Sequence, residues 1–332
     1  LGSGTCVLGT VTISSSALSD GTYSVYSIQT DVSGNISSNS TTLSITIDTT
    51  APVLSEVTPI PTPSNDTTPL LVFNSTNTGS IAYGGACTSS TGSAFAGSNA
   101  PTFDALAEGT YTNCTIEVTD QAGNVSNTLN LTTFVIDTTA PTLSFSNNVL
   151  SGPTQSDTIE ITSADSLAGI NTSLSQFAYV ANVGDCNVSA SFTNSYSSGT
   201  PFVINTQTNN GKYICARSVD NAGNISYLIS ANDLNIDIIA PTVPNLNINI
   251  LAPYDIDNPE ITFSSSDLNF SHFTVSIDGG PPSTQTSPYT PSITPAIYHT
   301  VTVTAYDLAG NSSSETTDYP PVIDITAPTV NY

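Results

Sequence analysis

Residues 109–141 read GTYTNCTIEVTDQAGNVSNTLNLTTFVIDTTAP, and this stretch decides the fold. Ile116 and Val118 alternate with polar residues, the period-two pattern of a half-buried strand. The strand ends at Asp120, and Gly123-Asn124 is expected to supply the φ > 0 positions of a tight turn. A return strand then runs to Val135-Ile136-Asp137. Pro141 fixes φ, removes a donor and stops the ladder. The whole reads as one β-hairpin followed by a short boundary.

The same phrases occur four times. Asp31-Val-Ser-Gly-Asn35, Asp120-Gln-Ala-Gly-Asn124, Asp220-Asn-Ala-Gly-Asn224 and Asp307-Leu-Ala-Gly-Asn311 each precede a second phrase. That second phrase is Asp48-Thr-Thr-Ala-Pro52, Asp137-Thr-Thr-Ala-Pro141, Asp237-Ile-Ile-Ala-Pro241 and Asp324-Ile-Thr-Ala-Pro328. Its Asp residues lie 89, 100 and 87 positions apart, which is a whole-domain period and too long for a solenoid. The fold class expected is all-β: tandem immunoglobulin-like β-sandwich domains in an elongated array. Residues 1–47 hold only the C-terminal strands of one domain. Residues 48–136, 137–236 and 237–323 hold complete ones, the last with fibronectin-III-like character, and 324–332 open the next linker. In sandwich terms the hairpin is strands F and G. Strand F is expected to have roughly 11 residues, giving domains about 35–40 Å long. Tyr213, with Tyr23, Tyr111 and Tyr298 in comparable places, reads either as the tyrosine corner of strand F or as a plain strand former.

Composition agrees and excludes much. Ser and Thr are roughly three residues in ten, with 21 Gly and 21 Pro, a mixture suited to short strands and turns. Lys212 and Arg217 face 26 acidic residues, for a net charge of −24. A field of that sign repels phosphate backbones and anionic head groups, so nucleic acid and membrane insertion are excluded as partners. The acidity serves either solubility or divalent cations. Charged residues are only 8 % of the chain, so ion pairs cannot be its main stabilising device. The histidines are His272 and His299. No Gly-x-Ser-x-Gly, phosphate loop or His-x-x-His is present, and nothing selects a general acid/base pair, so no catalytic residues are assigned and no enzyme is expected. Asn-x-Ser/Thr triplets at Asn74, Asn113, Asn187 and Asn269 are what so Ser/Thr-rich a chain produces by chance.

The paired Asp-x-Ala-Gly-Asn and Asp-Thr-Thr-Ala-Pro phrases closely resemble the bacterial Ig-like repeats of large secreted adhesins and surface proteins. The segment SIDGGPPSTQTSPYTPSITPAIYHTVTVTAYDLAGN (276–311) resembles a fibronectin-III-like relative. The resemblance implies an extracellular structural stalk or spacer at the cell surface, with neighbouring repeats as partners and any ligand at a tip elsewhere. A subunit of an extracellular filament or surface layer is the alternative, and a carbohydrate-binding accessory module a further one. On the first reading residues 1–47 belong to a fragment of a longer chain. On the second, a neighbour completes that domain by strand exchange.

Of five cysteines, Cys87 with Cys114 and Cys186 with Cys215 form one pair per complete repeat. They read as disulfides of an oxidising, extracellular setting, with buried free thiols as the alternative. Cys6 matches the first member of each pair, but Tyr26 stands where its partner would be. Finally, sandwich topology brings each linker Asp beside the B–C and F–G loops of the domain it enters. Calcium is therefore expected at Asp48, Asn77 and Asp120, at Asp137, Asp165 and Asp220, and at Asp237, Asp267 and Asp307. Simple Asx turn caps are the alternative. The alternation raises a difficulty for calcium. If Ile116, Val118, Val301 and Val303 look inward with one phase, and Tyr26, Ile28, Tyr213 and Cys215 with the other, the hairpin Asp points to different faces in different repeats.

Overall fold

A computed structural model describes residues 2–6, 11–188, 190–249, 259–292 and 298–319. The phrase Asp324–Pro328 lies outside the described residues. Two compact units are found, one of residues 1–139 with 221–224, the other of 140–220 with 225–332. Among the described residues every regular element is a strand except three single-turn 3-10 segments, Thr172–Leu174, Val183–Asp185 and Gln207–Asn209. Among the described residues no helix is long and apolar enough to cross a membrane.

In the first unit, residues 48–136 form a sandwich. One sheet orders Leu54–Thr58, Val72–Ser75 and Gly97–Asn99. The facing sheet orders Leu129–Asn130, Thr115–Asp120, Gly79–Gly84 and Ser93–Ala94. Phe73, Leu71, Ile116, Val118, Phe134 and Ile136 close the core between them, each at most 1 % exposed. The expected 11-residue strand F is not continuous here. It breaks after Gly109–Tyr111, which pairs with Phe134–Ile136, and resumes as Thr115–Asp120. The break falls where Cys114 turns in to its disulfide. Ahead of this sandwich, Gly21–Val25 pairs with Leu43–Ile47, and Tyr26, Ile28 and Leu43 are more than half exposed.

In the second unit, the third repeat faces Thr142–Asn147, Asp157–Ala164 and Phe202–Ile204 with a sheet ordered Asn194–Ser195, Gln176–Val180, Tyr213–Val219 and Ile225–Ile229. Ile159, Ile161, Ile214, Ala216, Leu234 and Ile236 are its buried centre. The fourth repeat orders Ser283–Gln285, Phe270–Ile277, His299–Asp307 and Ser312–Tyr319 in one sheet, and pairs Asn247–Asn249 with Glu260–Thr262. His299–Asp307 is the longest continuous strand F, at nine residues.

These strands settle the question of phase. Ile116, Val118 and Asp120 are buried together, as are Val301, Val303, Ala305 and Asp307. In the third repeat the inward residues are Ile214, Ala216, Ser218 and Asp220, not Tyr213 and Cys215. Cys215 is buried too, but in a separate cluster with Val180, Cys186, Phe192, Tyr213 and Ile229, against the outer side of the sheet. The hairpin Asp therefore keeps one phase in all three sandwiches; the register shift beside Asp307 falls on the partner strand, between Phe270 and His272, and leaves strand F unbroken. The tyrosine corner likewise divides the repeats. Tyr23 donates to Ser19 O and Tyr111 to Ala107 O, both at 2.8 Å and four residues upstream. Tyr213 packs in the outer cluster instead, and Tyr298 is 72 % exposed.

One ionic contact of the fourth repeat sets an acid response. The hairpin turn at Asp278-Gly279 has φ of 52° and 68°, and Asp278 accepts from His299 Nδ1 at 2.7 Å and from Thr300 N. The hydrogen bond from His299 and then that from Thr300 hold the Asp278 carboxyl below its usual range. A carboxylate depressed on folding adds stability above its unfolded pKa of about 3.9, and loses it as pH falls through the folded value. Asp278→Asn should therefore lower the melting temperature of this repeat at pH 6, by an amount that shrinks as the pH falls below about 4. Melting curves across that range check it.

Candidate functional site

The hairpin phrase folds alike in the first, second and fourth repeats. In Asp31–Asn35, Asp120–Asn124 and Asp307–Asn311 the Asp N–H donates to the Asn carbonyl, and the Gly N–H to the Asp carbonyl. The Asp carboxylate accepts the Asn backbone N–H on Oδ1 and the Asn side-chain amide on Oδ2. That side-chain bond holds the carboxyls of Asp31 and Asp120 below their usual range. Only the glycine takes positive φ, +90° at Gly34, +96° at Gly123, +97° at Gly223 and +88° at Gly310. The expectation that Gly and Asn share this task is corrected: glycine pays no Cβ penalty there, and asparagine is kept for its amide.

The amide reaches the linker. Asn124 Nδ2 donates to Asp48 O at 3.0 Å, Asn224 Nδ2 to Asp137 O at 2.8 Å, and Asn311 Nδ2 to Asp237 O at 2.8 Å. One carboxamide thus ties the F–G turn to the main chain of the linker acid. Each linker acid also closes its own Asx turn, Oδ1 accepting from Thr50 N, Thr139 N or Ile239 N.

The preceding repeat holds the linker from its other side. Asp20 accepts Thr49 N, Thr49 Oγ1 and Thr50 Oγ1, and these hydroxyls, Thr49 first, draw its carboxyl below the usual range. Glu108 does the same for Thr138 and Thr139. At Asp237-Ile238-Ile239 no hydroxyl is present and no acid faces the linker from that place. Asn210 instead pairs both backbone groups of Ile236, and Gln207 donates to Asp237 Oδ1 at 3.3 Å.

The nine residues expected as calcium ligands fall out unequally. Asp48 and Asp120 are joined through Asn124, while the Asn77 carbonyl accepts Ser75 Oγ. In the first unit Asp137 is 1 % exposed. In the second unit Asp165 and Asp220 each present a carboxylate oxygen within 4.8 Å of the other. Asp165 Oδ1 also accepts Leu167 N and Gly169 N, and Asp220 bridges Ile170. Asp237 and Asp307 are joined through Asn311, and Asp267 Oδ1 accepts Asn269 N. Asn124, Asn224, Asn311, Asn269, Asp20, Glu108, Gln207 and Asn210 went unnoticed as linker residues. A signal for two of them was present: an acid precedes Gly-Thr-Tyr at Asp20 and Glu108, the repeats whose linker is Asp-Thr-Thr.

The cysteines are joined as Cys87–Cys114 and Cys186–Cys215, and Cys6 is exposed and unpaired. The two basic side chains are engaged with neutral partners. Lys212 Nζ donates to Asn209 Oδ1, and Arg217 donates to Gln176 Oε1 while stacking 4.6 Å over Phe192.

No curated protein sequence matches the chain. Among solved structures, the fibronectin(III)-like modules of Clostridium thermocellum CbhA are 15 % identical, covering 57 % of this chain and all of that one, with a TM-score of 0.32. The FN1–FN3 domains of chicken CNTN1 are 11 % identical over 82 % of this chain and 98 % of that one, at 0.28. Drosophila N-cadherin EC1–4 is 12 % identical over 81 % and 74 %, at 0.29. Residues 8–70 and 100–184, a little under half of the chain, match the family model of the bacterial Ig-like domain (group 3).

Proposed function

We propose that this chain is a spacer of a bacterial extracellular surface protein or adhesin, a stalk of sandwiches in series that carries a functional tip. The observation that supports it is the recurrent clasp, in which the last Asn of the F–G turn holds the linker carbonyl at Asp48, Asp137 and Asp237. A hydrogen bond repeated at successive linkers fits a mechanical role better than a chemical one. The scarcity of Lys and Arg also leaves few sites for trypsin-like proteases.

Calcium belongs to the same reading. Asp165 and Asp220 bring two carboxylates together, while both basic side chains are bonded elsewhere. Like charges at that distance repel, and a divalent cation with oxygen ligands removes the cost. By sequence Asp137 heads the same set. At about thirty times its Kd, calcium would stabilise such a repeat by about 2 kcal/mol.

Titrating calcium into the chelated protein, while following melting temperature and small-angle scattering, tests both parts. The expected result is a rise in melting temperature that Asp220→Ala abolishes, and a radius of gyration well above the compact value of about 20 Å for this length. A compact radius would sink the spacer role. A melting curve indifferent to calcium would leave the carboxylates as turn caps.

A further inference from the structure

Asn210 and Gly211 form the sole Asn-Gly pair of the sequence. Such a pair is prone to deamidation, because a glycine without a Cβ lets its backbone nitrogen reach the carboxamide before it. Here both reacting groups are held by one short segment that leads into the linker. Asn210 Nδ2 donates to Ile236 O at 2.7 Å, and its Oδ1 accepts Ile236 N at 2.9 Å. The Gly211 N–H donates to Leu234 O at 2.8 Å. Leu234 and Ile236 are buried, while Asn210 and Gly211 are exposed to water. The pair is wet but tied, and release of residues 234–236 frees the nitrogen and the carboxamide together.

The other repeats show what the product would meet. Asp20-Gly21, Glu108-Gly109 and Asn210-Gly211 stand at the same place, just ahead of Tyr23, Tyr111 and Tyr213. The acids there accept linker hydroxyls, Asp20 from Thr49 and Thr50, Glu108 from Thr138 and Thr139. The linker after Asn210 is Asp237-Ile238-Ile239 and has no hydroxyl. An acid at position 210 therefore loses the donor that held Ile236 O and gains none in exchange.

We propose that Asn210 is a deamidation site gated by residues 234–236, and that its conversion leaves the exit of the third repeat loosened. The Gly211 nitrogen attacks Asn210 Cγ. The new N–Cγ bond forms, the Cγ–Nδ2 bond breaks, and ammonia leaves carrying the Gly211 amide proton. Water then opens the succinimide to aspartate or isoaspartate. Aspartate sets a carboxylate against the Ile236 carbonyl, and isoaspartate adds a methylene to the main chain at the same point. On the spacer reading, tension is what frees the segment; the chemistry does not depend on that reading.

The full chain is aged at mildly alkaline pH, in native buffer and in urea, and the peptide spanning Asn210 is followed by mass spectrometry. Conversion in native buffer should be slower by about tenfold or more, because the segment must open first. By hydrogen exchange, Asn210→Asp should lower the protection of peptides covering Ile236 by about tenfold, the loss of one hydrogen bond. Adding Ile238→Thr and Ile239→Thr to that variant should restore most of the protection. Both isoleucines are more than half exposed, and the two hydroxyls give the acid its donors. A chain that converts as fast in native buffer as in urea would overturn the gate. An Asn210→Asp variant as protected as wild type, or one that the two threonines leave loosened, would overturn the consequence drawn from it.

Discussion

Replacing Cys87 and Cys114 together by alanine is expected to cost the second repeat about 3.5 kcal/mol, the chain-entropy value for a closed loop of this length. That corresponds to a fall of roughly 15–25 °C in its melting temperature. The bridge spans 27 residues, and both cysteines belong to the principal core, at 1 % and 3 % exposure beside Ile116 and Val118. Cys114 shares the inward phase of the broken strand F, so the bridge also pins the chain where the ladder is interrupted. Alanine is the right substitute, because a serine hydroxyl buried there without a partner would add its own penalty. The Cys186–Cys215 bridge closes a loop of similar length, 29 residues, but on the outer side of its sheet, and the same change there opens it. Cys186, Ala190 and Phe192, which the bridge holds in place, cover Val180 and Ile229 and take no part in the main core. Calorimetry with hydrogen exchange should show cooperative loss of the whole second repeat in the first variant. In the second, exchange should rise first in residues 183–192. A Cys87/Cys114 variant that melts within about 2 °C of wild type would mean that the bridge contributes little to the constraint.

The architecture was readable because its signals are local. Thr-Ile-Glu-Val-Thr at 115–119 states a half-buried strand in five letters, and Gly at 34, 123, 223 and 310 states the turn. Repetition then supplied the domain period without any alignment. What the local pattern could not state is which of two alternating sets faces the core when both are apolar. Tyr213-Ile214-Cys215-Ala216 is such a run. Cys215 and Ile214 are both buried, the first under a covering segment and the second between the sheets, and alternation alone assigns neither. The covering segment is tertiary information.

The linker was legible in its phrases and illegible in its chemistry. Pro and Asp marked the boundary, and the Asp residues invited a metal reading because carboxylates are conspicuous. The donors that hold the linker are amides and hydroxyls, residue types so common in this chain that no single Asn stands out. Asn311 lies 74 positions from the carbonyl it grips and Asn124 lies 76, so no window of sequence shows either pair. The exchange of Asp20 and Glu108 for Asn210, in step with Thr-Thr for Ile-Ile, is the kind of internal covariation that could have exposed one side of the linker.

Asn311→Ala should destabilise the fourth repeat by about 2–4 kcal/mol, the sum of a hydrogen bond to a charged group and a neutral one left unmade in a buried place. The Asn311 amide donates to Asp307 Oδ2 and to Asp237 O, both at 2.8 Å, and these acids are 3 % and 6 % exposed. Water does not readily replace a donor at such depth, so the variant keeps a carboxylate oxygen and a carbonyl short of partners. Asn311→Asp keeps the shape, removes the donor and sets a second carboxylate against Asp307, so it should be at least as damaging. The first repeat contains its own control. Asn35 makes the same bonds to Asp31, but every residue of its turn is exposed, and Asn35→Ala should change little. Thermal melts of the three variants, with exchange at Asp237 as the local readout, decide between a clasp and a turn cap. A cap would lose comparable amounts at 35 and at 311. A clasp loses much more at 311, because there the amide ties two buried strands of chain that nothing else in the turn connects.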